Sequence, residues 1–219
     1  MDMEQARFNM VEQQIRPWDV LDQDVLDLLF QVRREDFVPE AHRALALSDL
    51  EIPLGHGESM MSPKLEARIV QEVGVRAGDR VLEVGTGSGY MTALLARMAW
   101  RGSVHSVEIN PEFAARAEAI LKQQGIANVV VEVGDAARGW PQGGPYDVIV
   151  LTGSVPVLPE AFKVGLKAGG RLFAVVGEAP VMEAQLVTCV AEGTYRTTNL
   201  FETSVPPLRN AMQPQRFVF

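Results

Sequence analysis

The sequence of 219 residues contains few of the residues from which disulfide frameworks and metal clusters are built. A single cysteine, Cys189, and three histidines exclude an intrachain disulfide scaffold and any cysteine-based zinc cluster. No stretch approaches the roughly 18 consecutive apolar residues of a membrane span, and the first residues lack the basic and then apolar order of a secretory signal. We therefore expect a soluble protein of the cytoplasm, with no metal ion and no membrane partner.

Basic residues are scarce relative to acidic ones. The chain carries 20 Lys and Arg against 28 Asp and Glu, which gives a formal net charge of −8. An anionic surface disfavours binding to nucleic acids and to anionic membranes, so we expect neither as a partner. With 47% hydrophobic and 22% charged residues, the composition is that of a globular protein, and the length suits one α/β domain. The sequence leaves the oligomeric state open.

The central part of the chain alternates short apolar strands with helical segments. Strands are predicted at residues 80–84, 104–107, 129–133, 147–151 and 171–176, and helices at residues 91–98, 111–124 and 158–166. Strands that alternate with helices indicate βαβ units and a parallel sheet covered on both faces. Residues 184–190 and 195–202 predict an antiparallel hairpin around Gly193 that closes the sheet. The predicted fold is a doubly wound, mostly parallel sheet of seven strands.

The region before this sheet is predicted to be helical and then irregular. Residues 4–15 have helical character. An amphipathic helix follows Asp24 and ends at residues 37–39, because the last of these, a proline, disfavours helix in the residue before it. Residues 48–63 contain two prolines and two glycines and are predicted to form a loop, which a helix over residues 64–72 follows.

The most informative stretch lies where the strand at residues 80–84 turns into a helix. Glycines at positions 85, 87 and 89 allow unusual backbone angles there and let a ligand approach closely, because glycine has no Cβ. The G-x-G-x-G spacing places Tyr90 where the longer dinucleotide fingerprint has its third glycine, which argues against NAD or FAD.

Two acidic residues follow the next two predicted strands. Glu108 comes 19 residues after Gly89, and a carboxylate there can accept hydrogen bonds from both ribose hydroxyls while repelling a 2′-phosphate. Asp135, which follows Gly134, lies at the same carboxyl edge of the sheet, where open α/β folds bind their ligands, and can accept a hydrogen bond from an adenine amino group. Together these residues predict a site for an adenosine without a phosphate requirement.

These motifs resemble those of the class I S-adenosylmethionine-dependent methyltransferases. Within that class the chain is similar to the protein-L-isoaspartate O-methyltransferase family over nearly its whole length. The similar stretches, besides the glycine loop, are residues 10–16, 34–39, 52–57, 134–135, 139–141, 145–147 and 166–170. The resemblance implies a Rossmann-like fold, the cofactor S-adenosyl-L-methionine with S-adenosyl-L-homocysteine as its product, and protein repair. The implied substrate is a protein or peptide that bears isoaspartate, whose free carboxylate is methylated.

The resemblance also implies a set of site residues and a division of the chain. The implied cofactor-binding residues are Glu83, Gly85, Thr86, Gly87, Ser88, Gly89, Glu108, Ile109, Gly134, Asp135, Ala136 and Thr152. The chain is expected to be one methyltransferase domain, made of an N-terminal helical and substrate-loop segment (1–63), a cofactor-binding core (64–180) and a C-terminal hairpin and tail (181–219).

The chain departs from the family in the loop that precedes the helix at residues 64–72. The family reads Gly-Gln-Thr-Ile-Ser-Gln-Pro there, and its serine has an active-site role, whereas this chain reads Gly-Glu-Ser-Met-Met-Ser-Pro over residues 57–63. Met61 stands at the serine position and cannot donate a hydrogen bond. Candidate catalytic residues are therefore Ser59 and Ser62, whose hydroxyls replace the missing one or cap the next helix, and His56, which acts in catalysis or shapes the loop.

Methyl transfer leaves three functions open. A carboxylate acceptor is already ionised at neutral pH, because aspartate-like groups titrate at about 4. In-line methyl transfer from a sulfonium to such a group therefore depends on positioning and needs no general base. A hydroxyl or amine acceptor would favour a nearby base, for which His56 is the candidate. The alternatives to isoaspartyl methylation are a methyltransferase with another acceptor and a non-catalytic S-adenosylmethionine-binding protein. Arg209 and Arg216 are candidates for binding a substrate carboxylate.

Overall fold

The computed structural model describes residues 3–214. Its strands are β1 (Ile52–Gly55), β2 (Glu58–Met60), β3 (Arg80–Val84), β4 (Ser103–Glu108), β5 (Val129–Val133), β6 (Tyr146–Val155), β7 (Leu166–Glu178), β8 (Val181–Ala191) and β9 (Thr194–Thr203). Its helices are α1 (Met3–Met10), α2 (Gln23–Gln31), α3 (Pro63–Val73), α4 (Tyr90–Met98), α5 (Pro111–Gln123) and α6 (Glu160–Val164). Among the residues described, no helix combines the length and the apolar character needed to cross a membrane.

Seven strands form one sheet in the order β5-β4-β3-β6-β7-β8-β9. Neighbours from β5 to β7 run parallel, whereas β8 is antiparallel to β7 and β9 is antiparallel to β8. This arrangement confirms the predicted mostly parallel sheet with its C-terminal hairpin. The register pairs Val84 with Val107 and Glu108 with Val133. The carboxyl ends of β3, β4 and β5 therefore meet at one edge, and the residues that follow them lie side by side.

Both faces of the sheet are covered. Val81 of β3 packs into the larger of two buried apolar clusters, together with residues of α3 and α4, and its neighbour Leu82 packs into the smaller cluster. The two differ because successive side chains of a strand point to opposite faces of the sheet. Between Leu82 and Val84 lies Glu83, whose carboxyl group is completely buried.

The predicted end of the second helix is wrong. α2 ends at Gln31 rather than at residues 37–39. The backbone of Val32 and Arg33 is extended instead of helical, because the chain turns inward at this point to bury the guanidinium group of Arg34. The proline of residues 37–39 therefore follows a short 3-10 turn rather than ending the helix.

The predicted loop over residues 48–63 is also wrong in part, because β1 and β2 form an antiparallel hairpin there. Pro53 pairs with Ser59, and proline is tolerated because a two-stranded ribbon leaves one edge of each strand free. His56 lies at the tip with a φ of 53°, between two glycines. α3 begins just after the hairpin and confirms the helix predicted over residues 64–72.

The remaining predicted elements are found, but several bounds are shifted; β6, for example, continues to Val155 instead of ending at residue 151. α6 is shorter than the predicted helix over residues 158–166, and β7 begins at Leu166 rather than at Arg171. Tyr146 pairs with Leu166 whereas Val148 pairs with Arg171, so the intervening residues bulge out of register. The glycines within this bulge hid the early start of β7 from the sequence pattern.

Candidate functional site

A pocket lies at the carboxyl edge of β3, β4 and β5. Its walls come from four parts of the chain: the loops that follow these strands, residues 152–153 of β6, the β1–β2 hairpin with the first turn of α3, and the segment 206–209 after β9. The predicted ligand edge and the predicted substrate loop thus face one another across a single cavity. All the predicted cofactor residues except Glu83 and Gly89 line it.

The glycine loop requires glycine for two different reasons. Gly85, Gly87 and Gly89 all have positive φ, at 97°, 52° and 83°, which disfavours any residue with a Cβ. A Cβ on Gly85 would also lie 2.3 Å from Oγ1 of Thr152, whose hydroxyl donates to the carbonyl oxygens of Val84 (2.8 Å) and Gly85 (2.6 Å). Thr152 on β6 therefore holds the start of the loop in place.

Glu108 is held by backbone groups at the end of β4. Its Oε2 accepts a hydrogen bond from the N–H of Gly87 (2.8 Å), and its Oε1 accepts one from the N–H of Asn110 (2.9 Å). The side chain is 5% exposed and lines the pocket beside Ile109. The carboxylate is therefore fixed in orientation, with its remaining lone pairs available to a ligand.

Asp135 lines the same pocket and follows Gly134 in the loop after β5. Its Oδ1 accepts a hydrogen bond from the N–H of Ala137 (3.1 Å), and its Oδ2 accepts one from the side-chain amide of Asn210 (2.9 Å). Ala136, next in the chain, also lines the pocket. The loop after β5 and the segment after β9 are thus joined at the mouth of the site.

Glu83 lies behind the glycine loop, outside the pocket lining. Its Oε2 accepts hydrogen bonds from the hydroxyls of Thr92 (2.5 Å) and Ser106 (2.6 Å), and burial raises the pKa of Glu83 to about 8. The hydroxyl of Ser106 also lies 2.5 Å from that of Thr86. Glu83 therefore supports the loop through Ser106, and Gly89 likewise lies beyond the lining, at the N-terminal end of α4.

The hairpin side of the pocket contains one of the two candidate serines. Ser59 lines the pocket, but its hydroxyl donates to Oε2 of Glu51 (2.9 Å). Ser62 precedes α3 without a side-chain capping bond and is not part of the lining. Met61 does line the pocket. His56 points elsewhere, with Nε2 2.8 Å from a carboxylate oxygen of Glu112.

Of the two candidate arginines, Arg209 lies in the pocket wall and Arg216 lies outside the described residues. Nε of Arg209 donates to Oε1 of Glu58 (2.7 Å), and Nη2 donates to the carbonyl oxygen of His56 (2.9 Å). The guanidinium is thus already paired with the hairpin, and it connects the segment after β9 to the substrate side of the pocket.

Sequence reasoning missed Glu66, in the first turn of α3. This side chain is 2% exposed, lines the pocket, and accepts a hydrogen bond at Oε2 from Nε of Arg34 (2.9 Å). Burial raises the pKa of Glu66 to about 7, although Arg34 acts in the opposite direction. One signal was available, because Glu66 heads the stripe of Ile69, Val70 and Val73 that α3 buries, at a spacing where an apolar residue is expected.

The groups around the glycine loop fit an adenosine. A Cβ on Gly87 would have only Cδ1 of Leu54 within 4 Å, at 3.4 Å, so the space beside this glycine is open to a ligand. Glu108 and Asp135 are acceptors that match the hydroxyl and amino donors of adenosine. A doubly wound sheet with this loop after β3 and a carboxylate at the end of β4 defines a class I S-adenosylmethionine-dependent methyltransferase.

Comparison with known sequences identifies the family. The family model described as Protein-L-isoaspartate(D-aspartate) O-methyltransferase (PCMT) matches residues 5–211. The protein-L-isoaspartate O-methyltransferase 1 of Rhodopseudomonas palustris (strain HaA2) is 44% identical over 171 residues, which are 78% of this chain and 69% of the relative. The protein-L-isoaspartate O-methyltransferase of Anaeromyxobacter dehalogenans (strain 2CP-C) is 41% identical over 191 residues, 86% of this chain and 90% of the relative. The chain belongs to the protein-L-isoaspartate O-methyltransferase family.

Solved structures of the same kind share the fold. A protein-L-isoaspartate O-methyltransferase superposes with a TM-score of 0.79 at 27% identity, over 93% of this chain but only 65% of that chain. A PCMT-type protein of Plasmodium falciparum, in complex with S-adenosyl-L-homocysteine, superposes with a TM-score of 0.78 at 20% identity, over 94% of this chain and 97% of that one. These superpositions confirm the predicted Rossmann-like architecture, and the cofactor of the family is S-adenosyl-L-methionine.

Proposed function

We propose that this chain methylates the free carboxylate of L-isoaspartyl residues in damaged proteins and peptides, with S-adenosyl-L-methionine as the donor. One observation carries the proposal: a single pocket runs from the adenosine-type groups at Glu108 and Asp135 to the hairpin segment at Met61. Donor and acceptor bound in these two halves would lie in the same pocket, as in-line transfer requires. Membership of the family supplies the acceptor class.

The cofactor half would be formed by ten of the twelve residues that the resemblance implies, with Glu83 and Gly89 supporting the glycine loop from outside the pocket lining. Glu108 would accept hydrogen bonds from the ribose, and Asp135 from the adenine amino group. Thr152 and Glu83 keep the glycine loop in the shape that admits the ligand. When bound, S-adenosyl-L-methionine supplies an electrophilic methyl group on a sulfonium.

The acceptor half has to orient a carboxylate rather than deprotonate it. Such a group is ionised at neutral pH, because its pKa is close to about 4. The hairpin residue Ser59 and the segment that contains Arg209 form the walls that would hold the peptide. His56 is paired with Glu112 outside the pocket, so its position favours a role in shaping the hairpin tip over one as a base.

The finer partners and the location are also part of this proposal. The expected partners are isoaspartyl proteins or peptides rather than nucleic acids or membranes, which the net charge of −8 supports. The expected location is the cytoplasm. We also propose the division into residues 1–63 for substrate contact, 64–180 for the cofactor and 181–219 for the C-terminal hairpin and tail.

The test is release of S-adenosyl-L-homocysteine with an isoaspartyl peptide and with the same peptide containing normal aspartate. We expect turnover of the isoaspartyl peptide alone. A matched control is Glu118→Ala, which removes an exposed carboxylate of α5 and should leave the rate unchanged. Tight binding of S-adenosyl-L-homocysteine without turnover of either peptide would contradict the proposal.

A second candidate function is methylation of a different acceptor, and the presence of Met61 in the pocket favours it. Incubation of the protein with radiolabelled S-adenosyl-L-methionine and a cell extract distinguishes the cases. Label in an acceptor that is stable to mild base would indicate a product other than a carboxyl methyl ester. Binding without any labelled acceptor would indicate a non-catalytic protein.

A further inference from the structure

The acceptor half of the pocket is short of free hydroxyl groups near Met61. The hydroxyl of Ser59 donates its hydrogen bond to Glu51, and Ser62 is not part of the pocket lining. Met61 itself has no group that donates a hydrogen bond. None of these three side chains therefore offers a free hydrogen-bond donor to an acceptor carboxylate that enters this half.

Glu66 is placed to be that donor. It lines the pocket, and Arg34 ties it to Met61, because the same guanidinium donates to Oε2 of Glu66 and to the carbonyl oxygen of Met61. The other carboxyl oxygen, Oε1, takes part in none of the hydrogen bonds found within residues 3–214. A protonated carboxyl group in this position can accept from Arg34 at Oε2 and donate from Oε1.

We propose that the protonated carboxyl group of Glu66 donates a hydrogen bond to the acceptor carboxylate, in place of the serine hydroxyl that Met61 has replaced. This inference rests on the proposed function and names a substrate-binding residue for it. Ionised Glu66 would instead face the acceptor as a second negative charge, which opposes binding. The acceptor should therefore bind best to the protein in which Glu66 carries its proton.

The surroundings of Glu66 favour the protonated form. Burial in the pocket wall raises the pKa of Glu66 to about 7, with Arg34 as the opposing influence. The other titratable and charged groups around it are Glu83 and Tyr90 behind the pocket, with Arg7 and Glu35 close to Tyr90, and Glu51, Glu58, Glu108, Asp135 and Arg209 across it.

Arg34 remains anchored when Glu66 is neutral. Its Nη1 and Nη2 donate to the carbonyl oxygens of Ala46 and Met61, and its guanidinium lies 5.7 Å from the ring centroid of Tyr90. Protonation of Glu66 therefore does not leave Arg34 without partners. The Glu66→Gln variant reproduces this neutral state, because an amide accepts from Arg34 and donates to the acceptor at every pH.

The first measurement is the pH profile of kcat/KM for an isoaspartyl peptide. The reaction is monitored through the release of S-adenosyl-L-homocysteine, because the methyl ester product hydrolyses at higher pH. The wild type should lose about tenfold between pH 6 and pH 8, as a group with a pKa near 7 deprotonates. Glu66→Gln should change by less than about twofold over this interval. Glu72→Gln, on the same helix but paired with Arg68, should follow the wild type. A flat wild-type profile, or a tenfold loss that persists in Glu66→Gln, overturns the proposal.

The second measurement needs no turnover. Calorimetric titration of the S-adenosyl-L-homocysteine-saturated protein with the peptide at pH 7.5, in buffers of different ionisation enthalpy, reports proton uptake. The wild type should take up about 0.5–1 proton per peptide, and Glu66→Gln none. Uptake without methylation would refute the proposed reaction and leave the role of Glu66 intact. Binding without uptake, or no binding even at pH 6, overturns that role.

Discussion

The backbone N–H of Gly87 donates a 2.8 Å hydrogen bond to Oε2 of Glu108. The glycine loop after β3 and the carboxylate at the end of β4 therefore hold each other in place. A substitution at either position should change the ligand site through both the lost group and the altered shape of the loop. The contributions of the two positions can be measured separately, because one variant can remove the carboxylate of Glu108 and another can add a side chain at Gly87.

Glu108→Ala should weaken binding of S-adenosyl-L-homocysteine by about 1–3 kcal/mol, or roughly 5- to 150-fold in Kd, because the ribose loses a charged acceptor. Calorimetry on the wild type, Glu108→Ala and the surface variant Glu118→Ala measures this difference. Equal affinities in all three proteins would rule out the ribose contact. Equally tight binding of NADPH by the wild type would refute the preference for an unphosphorylated ribose.

Gly87→Val should abolish binding of S-adenosyl-L-homocysteine while the protein still folds. The side chain would fill the open space beside Leu54, and the positive φ of residue 87 adds about 1–2 kcal/mol of strain. Gly125→Val is the matched control, because Gly125 has a φ of 66° and a Cβ added there would meet no atom within 4 Å beyond its chain neighbours. Both variants should show lowered melting temperatures, but only Gly87→Val should lose the ligand; retained affinity there would contradict the site.

Met61→Ser should raise kcat/KM for an isoaspartyl peptide by roughly 5- to 150-fold at pH 8, where ionised Glu66 no longer donates, since a positioned hydrogen bond contributes about 1–3 kcal/mol. Ser62→Ala should leave kcat/KM unchanged, because Ser62 is outside the pocket lining. The measurement is kcat/KM for the peptide with the wild type, Met61→Ser, Ser62→Ala and Ser59→Ala. A large loss in Ser59→Ala or Ser62→Ala would show that one of these hydroxyls serves the acceptor. If neither the wild type nor Met61→Ser methylates the peptide although both bind the cofactor, another acceptor becomes the better explanation.

The free energy of unfolding of Glu83→Gln should increase relative to that of the wild type as the pH rises from 5 to 8.5. Burial raises the pKa of Glu83 to about 8 in the folded protein, from its ordinary value of 4.5. The folded state therefore holds a proton at pH values where the unfolded chain has already released it. The stability that this proton contributes is complete below the unfolded pKa and is lost as the pH rises to about 8, on the order of 1.4 kcal/mol for each pKa unit. Thermal denaturation of wild type, Glu83→Gln and Glu118→Gln tests this; a difference that does not grow with pH contradicts it.

The sheet could be predicted from the sequence because its strands are short, apolar and regularly separated by helices. Residues 80–84 and 129–133 match β3 and β5 at both ends. The wrong end of α2 arose from a long-range cause, since Arg34 is buried against Glu66, 32 residues away along the chain. The hairpin at residues 52–60 was hidden because its prolines and glycines are also typical of loops.

The candidate site was predictable where function depends on local backbone, and less so where it depends on packing. The glycine loop and Glu108 follow directly from strand ends, and the structure brings them together. The pairing of Arg209 with Glu58 joins residues 151 positions apart, and no local pattern signals it. The position of Glu66 near Met61 likewise depends on the long-range contacts of Arg34 with both residues.

The hydrogen bond from Asn210 to Asp135 has a consequence for any affinity measured at this site. An adenine amino group that binds to Oδ2 of Asp135 must share this oxygen with the side-chain amide of Asn210 or displace it. Where the amide is displaced, the measured Kd reports an exchange of one donor for another rather than the full strength of the new contact. In an Asn210→Ala protein, Oδ2 of Asp135 would no longer accept a hydrogen bond from the amide. The adenine amino group would then bind to this oxygen without displacing another donor.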